Sequence, residues 1–285
     1  MIFDAIQWDP SLGIKIGSFI IRYYSLAYVI GFVVGYYVIK KVFERENENL
    51  ELLDPLLIYI ALGVIIGARL GHVFFYDWSY FKHHLLEIFL PFRFEPEFEF
   101  TGFQGLASHG ATIGIALAAW LFYRKYKDQI RHKSFLWWTD RMVLAIPFGG
   151  AMIRLGNLMN SEIVGKPTGT DYGFVFKALG EDFPRHPTQI YEAAAYFLLF
   201  FLVMYLYWKT DIRHYPGMLF GVFFSLLWII RFIIEFWKEP QDAEDARLLA
   251  QTGLNTGQWL SIPFILIGLY FIWYGYKHKK TLEND

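Results

Sequence analysis

The 285-residue chain is too apolar and too sparsely charged for an ordinary soluble protein. Hydrophobic residues make up 55% of it and charged residues 19%, against about 25% charged residues in a typical soluble domain. The formal net charge is −1 and the chain contains no cysteine. These values disfavour a nucleic-acid partner, which requires a basic surface. They also exclude disulfides, thiolate metal sites and a cysteine nucleophile within the protein.

Seven apolar stretches, separated by polar ones, follow one another along the chain. Each is close to the ~20 residues that a helix needs to cross the hydrocarbon core. We therefore predict an all-α polytopic membrane protein, a single membrane domain over 1–285 with about seven transmembrane helices. The alternative, a large soluble protein with buried helices, would have too little polar sequence to cover them. The predicted spans are 18–39, 53–76, 105–123, 135–153, 189–208, 216–237 and 257–276.

Basic residues indicate the orientation of the spans. Half of the 26 Lys and Arg residues lie at 40–45, 124–133, 209–213 and 277–280, which an alternating topology places on one side. The positive-inside rule makes that side cytoplasmic, so the N-terminus is predicted outside and the C-terminus inside.

Two long loops, 77–104 and 154–188, then lie outside the membrane. Loops beyond about 15 residues usually carry structure or function, so we expect them to form a small external domain. Within the first loop, charged and aromatic residues alternate over 95–100. This alternation fits either a short strand or an interfacial arm.

Polar residues within the spans lie towards their external ends under this topology. Arg69 and Arg231 stand well inside apolar runs, and Glu235 follows Arg231 at one helical turn. Snorkelling to the interface is the simpler explanation for Arg22 taken alone. Because polar groups at membrane depth usually mark a site, we predict one outward-facing cavity. Its predicted lining is Tyr24, Arg69, His109, Arg154, Asn157, Glu162, Arg231 and Glu235.

Glycines recur at four-residue spacing in several of the apolar stretches. This spacing lets helix backbones approach closely, so we interpret the glycines as packing positions. Gly149 and Gly150 differ, because they follow Pro147 and such a combination loosens or breaks a helix. The packing glycines are Gly31, Gly35, Gly63, Gly67, Gly71, Gly110, Gly114, Gly217 and Gly221.

Five short motifs accompany the apolar stretches. The most specific is RLGNLMNSE at 154–162. The others are HGA at 109–111, HPTQIYE at 186–192, RFIIEF at 231–236 and GQWLSIP at 257–263. In their order along the chain these motifs resemble those of the bacterial phosphatidylglycerol–prolipoprotein diacylglyceryl transferases.

The resemblance implies a multi-pass protein of the bacterial inner membrane, with a periplasmic N-terminus, a cytoplasmic C-terminus and periplasmic outer loops. It implies transfer of the diacylglyceryl group of phosphatidylglycerol to the lipobox cysteine thiol of a prolipoprotein. A thioether forms and glycerol 1-phosphate leaves, as the first step of lipoprotein maturation. The implied partners are phosphatidylglycerol, the prolipoprotein signal peptide with its lipobox, and the lipid bilayer. Neither a cofactor nor a metal is implied.

This chemistry requires a cationic clamp for the phosphate and a base for the thiol. Arg154 and Arg231 suit the clamp, because a guanidinium group donates two parallel hydrogen bonds to an oxyanion. His109 is the predicted base, since its ordinary pKa of about 6.5 suits thiolate formation. Tyr24 is the fourth predicted catalytic residue, through a hydrogen bond to lipid or thiol. A structural histidine and an aromatic-belt tyrosine are the alternatives for these last two.

The predicted substrate-binding residues come mainly from the motifs. Asn157, Asn160 and Glu162 would position the head group, although closing the loop after the fourth span is an equally open role. His186 precedes a proline and either lines the site or opens the fifth span. The complete predicted set is Arg69, Arg154, Asn157, Asn160, Glu162, His186, Gln189, Tyr191 and Glu235.

Two other classes of function stay open on the residues alone. A transporter would also bury arginines, but it would need polar groups in both halves of the membrane for alternating access. A receptor that binds lipid without chemistry would keep the arginines and would have no need of His109 as a base.

Overall fold

The structure is a computed structural model that describes residues 5–17, 19–90, 92–94, 98–100, 107–132, 134–239 and 243–279. Side chains are not described at Phe19, Glu99, Phe100, Ser108, His109 and 243–245. The described chain is mostly helical and divides into two compact units. The first unit is Met1–Val42 with Leu136–Asp285, and the second is Phe43–Phe135.

Ten helices and six strands are numbered here along the described chain. The strands are β1 Ile6–Trp8, β2 Gly13–Ile16, β3 Phe19–Arg22, β4 Phe92–Arg93, β5 Glu99–Phe100 and β6 Phe174–Phe176. The helices are α1 Tyr23–Glu46, α2 Leu53–Phe75, α3 Trp78–Phe81, α4 Ser108–Tyr126, α5 Phe135–Met142, α6 Ile146–Met159, α7 Thr188–Lys209, α8 Met218–Ile234, α9 Ala243–Thr252 and α10 Thr256–Lys277.

Six helical segments of the described chain are long and apolar enough to cross a membrane. The expected all-helical, multi-pass class is therefore confirmed. The count of seven spans stays a prediction, because the helix at the third stretch, α4, is not among the six. The six are Tyr23–Glu46, Leu50–Phe75, Phe135–Met159, Thr188–Lys209, Met218–Trp237 and Thr256–Lys277.

The first apolar stretch differs from its predicted span at both ends. Residues Phe19–Arg22 form β3, which pairs antiparallel with β2, and α1 begins only at Tyr23. The helix then continues to Glu46, seven residues beyond the predicted end at 39. A short run of Phe and Ile fits a strand as well as a helix, so hydrophobicity alone placed the start wrongly.

The core of the first unit lies among α1, α7 and α8. Leu144, Val203, Tyr207 and Leu219 are fully buried in one apolar cluster there. Helices α8 and α10 pack through glycine: a Cβ on Gly221 would lie 2.7 Å from the carbonyl oxygen of Gly268. The packing role predicted for Gly221 is therefore confirmed, whereas Gly217 precedes α8 with a φ of 79°.

A buried aspartate determines where α8 begins. The two carboxylate oxygens of Asp140 accept hydrogen bonds from the backbone N–H groups of Gly217 at 2.7 Å and Phe220 at 2.8 Å. These N–H groups have no acceptor inside the helix, and a carboxylate also stabilises the positive end of the helix dipole. Asp140 on α5 thus ties two helices together.

The fourth predicted span consists of two helices. The regular helix is interrupted between Met142 and Ile146, and Pro147 stands in the first turn of α6. Proline is tolerated there because the first-turn N–H has no helical acceptor. The interruption precedes Pro147, whereas Gly149 and Gly150, where the sequence suggested a break, lie within the regular helix α6. Helix α6 carries the first six residues of the nine-residue motif.

The second unit is built on the pair α2 and α4. A Cβ on Gly63 would lie 2.7 Å from the Gly114 carbonyl oxygen, and a Cβ on Gly71 would lie 2.6 Å from Gly110 Cα. Rising numbers on α2 meet falling numbers on α4, so the helices are antiparallel. Their backbones approach as closely as the glycine spacing predicted.

Short strands complete both units. In the first unit β1 pairs in parallel with β6. In the second unit Phe92–Arg93 pairs antiparallel with Glu99–Phe100. Of the alternating run 95–100, Glu99 and Phe100 therefore form a strand. Glu95, Pro96 and Glu97 of that alternating run lie outside the described residues.

Candidate functional site

Arg154 lies in an ion pair that joins α6 to α7. Its Nε atom is 2.7 Å from Oε2 of Glu192, which is completely buried. The pair is electrostatic, without the geometry of a directed hydrogen bond at that oxygen. Arg154 also donates from its NH1 group to the Asn157 side-chain oxygen at 3.2 Å. A carboxylate at this depth is expensive unless cations surround it, and Glu192 has more than one.

Lys238 extends this ion pair to α8. Its ammonium group lies 3.1 Å from both Glu192 Oε1 and Glu235 Oε1, and the side chain is 5% exposed. Arg231 approaches Glu235 at 4.0 Å. Three cations and two carboxylates therefore form one continuous cluster in the first unit. The two arginines that the sequence assigned to one site do belong to one charge cluster.

The two arginines are held very differently. Arg154 is 13% exposed and bound on two sides, whereas the Arg231 side chain is 29% exposed. The guanidinium carbon of Arg231 lies 5.6 Å from the centre of the Trp228 ring, a cation–π arrangement. Because its carboxylate partner is at the limit of ion-pair distance, Arg231 is the cation that an incoming anion reaches at the lower cost.

The asparagines of the nine-residue motif bind its glutamate. Asn157 and Asn160 donate from their amides to the two oxygens of Glu162 at 2.9 and 3.1 Å. Gln189 donates to the Glu162 main-chain oxygen at 2.6 Å. These contacts close the loop after α6, which is the structural role that the sequence left open for these residues. Asn157 also connects Glu162 to Arg154, so the loop and the charge cluster are one assembly.

The loop itself is strained. Ser161 and Ile163 have φ values of 55° and 56°, in the left-handed region that residues with a side chain rarely adopt. For a β-branched residue such as Ile163 this conformation costs of order 1–3 kcal/mol. Thr188 offsets part of that cost by donating to the Ile163 carbonyl oxygen at 2.9 Å. Strain of this kind clusters at functional sites.

Tyr24 at the start of α1 packs on the motif helix. A Cβ on Gly156 would lie only 2.7 Å from Cδ2 of the Tyr24 ring. The absence of a side chain at Gly156 therefore makes the room that the ring occupies. The hydroxyls of Tyr24 and Tyr28 are 3.3 Å apart. Tyr24 thus packs on α6 at a position two residues along the chain from Arg154.

His186 and Tyr191 belong to a separate hydrogen-bonded row. Nδ1 of His186 is 3.2 Å from the Tyr191 hydroxyl, which is 3.2 Å from the Tyr172 hydroxyl. Burial lowers the pKa of the His186 imidazole, so the ring is neutral at neutral pH. A Cβ on Gly165 would lie 2.8 Å from the His186 Cβ, which places this row against the loop after the motif.

Two predicted site residues, Arg69 and His109, lie in the second unit. Arg69 donates from Nε to the Ile88 carbonyl oxygen at 2.8 Å and from NH2 to the Glu87 carbonyl oxygen at 2.6 Å. These bonds fix the chain after α2. His109 stands in the first turn of α4, and its side chain lies outside the described set. For Arg69 and His109 the shared cavity remains a prediction.

The sequence interpretation missed Glu192 and Lys238, which connect the two arginines. Lys238 directly follows an apolar span, where a lysine is ordinarily solvated. Its spacing of three residues from Glu235 was the available signal, because such pairs meet on one helix face. Among the described residues, no three His, Asp or Glu side chains stand together as metal ligands would.

Comparisons with known proteins show which family this chain resembles. The family model described as prolipoprotein diacylglyceryl transferase matches residues 11–274. Proteins named phosphatidylglycerol–prolipoprotein diacylglyceryl transferase are similar to this chain. The one from Bacteroides fragilis is 40% identical over 283 residues, covering 98% of each chain. That from Porphyromonas gingivalis is 42% identical over 282 residues, covering 95% of this chain and 94% of its own.

A third relative, from Tolumonas auensis, is 39% identical over 271 residues and covers 95% of this chain and 97% of its own. The matches run through every helix that contributes to the charge cluster. Together with the family model, they establish that this chain belongs to the prolipoprotein diacylglyceryl transferase family.

Proposed function

We propose that this protein transfers the diacylglyceryl group of phosphatidylglycerol to the lipobox cysteine of a prolipoprotein. The cysteine sulfur attacks the glyceryl carbon, the carbon–oxygen bond to phosphate breaks, and glycerol 1-phosphate leaves as the thioether forms. The thiol proton passes to a base of the protein. Family membership and the names of the relatives support the reaction.

The observation that carries the proposal is the cluster joining Arg154 and Arg231 through Glu192, Lys238 and Glu235. The leaving group is a phosphate whose negative charge grows as the carbon–oxygen bond breaks. Preorganised cations directed at developing charge are the strongest contribution that a site of this kind can make. Arg231, which is the more exposed, is proposed to bind the phosphate first, with Arg154 held by Glu192 as the second donor.

The remaining residues have supporting roles in this proposal. His109 is the base that accepts the thiol proton, because a neutral imidazole takes up a proton near neutral pH. Tyr24 places its hydroxyl beside the motif helix. Asn157, Asn160 and Glu162 keep the loop after α6 in its strained form and orient Arg154. Gln189 reinforces the same loop through the Glu162 main chain.

The site is proposed to face the periplasm from the bacterial inner membrane. Phosphatidylglycerol then enters sideways from the outer leaflet, and the prolipoprotein signal peptide presents its lipobox at the same surface. The four basic stretches support this orientation through the positive-inside rule. Residues 77–104 and 154–188 are accordingly proposed to lie on the periplasmic side.

The test is a reaction with purified protein in detergent. Phosphatidylglycerol and a lipobox peptide are supplied, and release of glycerol phosphate is measured beside the mass of the peptide. We expect release only when both substrates are present, and a peptide with serine in place of the cysteine should give none. Folded protein that releases no glycerol phosphate would overturn the proposal.

A His109→Gln variant separates an enzyme from a lipid-binding receptor. In the proposed mechanism this variant still binds phosphatidylglycerol but loses most of its turnover, since general-base catalysis contributes about 10²–10⁴ in rate. Equal turnover in the variant and the parent protein would remove His109 from the mechanism.

A further inference from the structure

The segment that follows α2 exposes a row of large apolar side chains outside all six candidate spans. Leu85 is 60% exposed, Leu86 72% and Phe89 62%. These residues belong to a short helix, Leu85–Ile88, and the turn after it. Contiguous exposed apolar surface of this kind marks a binding site for another apolar surface. We name residues 76–90 the apolar arm.

The inner face of the arm is fixed by buried polar groups. Glu87 is 4% exposed, and its carboxylate accepts hydrogen bonds from the Tyr80 hydroxyl at 2.6 Å and the Phe94 N–H at 2.9 Å. Arg69 binds the main chain of the same short helix from α2. Burying charged groups is costly unless they are paired and hydrogen-bonded. The exposure of Leu85, Leu86 and Phe89 therefore belongs to a built conformation.

The apolar surface of the arm continues that of a membrane span. Phe74 and Phe75 in the last turn of α2 are 55% and 67% exposed, on a helix apolar enough to cross the membrane. The Phe74 ring lies 5.3 Å from the ring of Trp78, which is itself exposed in the arm. Tyr76 is exposed between them. Tyrosine and tryptophan are enriched where lipid tails meet head groups.

We propose that the apolar arm lies in the plane of the membrane interface, with Leu85, Leu86 and Phe89 inserted at the boundary of the acyl chains. Its occupant is the lipid bilayer itself. Residues 76–90 contain one lysine, Lys82, against two acidic residues, Asp77 and Glu87, so we expect apolar insertion that is insensitive to salt. Arg69 is then a positioning residue, which orients the arm from the end of α2.

The chain contains no cysteine, so single cysteines can be introduced and labelled without background. The variants Leu86→Cys and Phe89→Cys carry a nitroxide in full-length protein reconstituted into nanodiscs. Leu198→Cys on α7, at a position 71% exposed, is the lipid control. Thr170→Cys, at an exposed position of an outer loop, is the water control. Collisions with oxygen and with a water-soluble nickel complex are measured.

We expect the labels at 86 and 89 to collide with oxygen more often than with nickel, as at 198 and opposite to 170. The ratio should be the same at low and high salt and in discs of zwitterionic or anionic lipid. Nickel collisions at 86 and 89 matching those at 170 would overturn the proposal. Protection from both reagents would also overturn it, because a second copy or another protein would then cover the arm.

Discussion

At the scale of single residues, we propose that the two arginines of the cluster divide the work of binding an anion. Arg154 is enclosed by Glu192 and Asn157, and its orientation is fixed before any ligand arrives. Arg231 rests against Trp228 with a distant carboxylate partner. Preorganised groups cost nothing to orient during reaction, whereas a loosely paired cation exchanges its partner easily. One arginine of each kind suits a site that both captures and cleaves a phosphodiester.

We predict that Arg154→Lys and Arg231→Lys each lower turnover by about 10²–10³, since losing one charge-assisted donor in a dry site costs roughly 2–4 kcal/mol. Lysine keeps the charge but lacks the planar pair of donors. The measurement is the rate of glycerol phosphate release per folded protein. Arg247→Lys, at an exposed position of α9, is the matched control. Unchanged turnover in both lysine variants would contradict the proposed roles.

A second residue-scale prediction concerns the contact between Gly156 and Tyr24. Gly156→Ala inserts a methyl group 2.7 Å from the Tyr24 ring. Overpacking of this kind costs about 1–3 kcal/mol, so Tyr24 must move and turnover should fall. The control is Gly149→Ala on the same helix, where a Cβ meets nothing within 4 Å. That change should gain up to about 1 kcal/mol from helix propensity.

Thermal unfolding in detergent and turnover are measured for both alanine variants. Gly149→Ala should melt at or above the temperature of the parent protein with unchanged turnover. If Gly156→Ala behaves like Gly149→Ala in both assays, the position of the Tyr24 ring does not matter for the reaction.

The sequence predicted the arginines of the charge cluster better than the contacts that join them. Arg154, Arg231 and Glu235 were identifiable because charged residues inside apolar runs are expensive and therefore informative. Glu192 was visible at the start of the fifth span, but its pairing with Arg154 depends on how α6 packs on α7. Lys238 offered only its three-residue spacing from Glu235 as a signal, because a lysine just after a span is ordinary. Pairing across helices is a property of packing and not of periodicity.

At the scale of secondary-structure elements, buried polar groups decide where helices begin. Asp140, which is 1% exposed, accepts hydrogen bonds from the N–H groups of Gly217 and Phe220 at the start of α8. The N–H groups that donate to Asp140 lie about eighty residues further along the chain, beyond the reach of any local pattern. The late start of α1 has a local cause, because β3 pairs with the neighbouring strand β2.

We predict that Asp140→Ala destabilises the protein by about 2 kcal/mol or more, because each buried N–H left without an acceptor costs about 1–3 kcal/mol. Asp140→Asn keeps one acceptor oxygen, so its stability should lie between that of Asp140→Ala and that of the parent protein. The control is Asp211→Ala at an exposed position. Apparent melting temperatures in detergent are compared. An Asp140→Ala variant as stable as the control would show that α8 does not depend on this carboxylate.

At the scale of the whole molecule, the number of spans depends on α4. Its 19 residues extend roughly 28 Å at about 1.5 Å per residue, close to the thickness of the hydrocarbon core. It lies antiparallel against α2 along the glycine face, from Gly63 to Gly71 on one helix and Gly114 to Gly110 on the other. A helix packed along a spanning helix shares its depth. We therefore propose α4 as the seventh span, although it is not among the six helical segments that qualify as spans by length and composition.

The last prediction follows from that count. Seven spans place the termini on opposite sides of the membrane, whereas six place them on the same side. A reporter active only in the cytoplasm, fused after Lys280, should be active. A reporter active only outside the cytoplasm should be active when it is inserted near Glu95, in the predicted outer loop. The pair is informative because Glu95 lies between α2 and α4, so the two insertions differ by the spans from α4 to α10.

Fusions after Arg131 and after Lys209 serve as controls, since both lie in basic stretches that the positive-inside rule assigns to the cytoplasm. If α4 failed to cross, Glu95 and Arg131 would report from the same side. That result would remove the seventh span. An external reading after Lys280 would reverse the orientation and turn the cluster of Arg154 and Arg231 towards the cytoplasm, where an exported lipobox cysteine does not arrive.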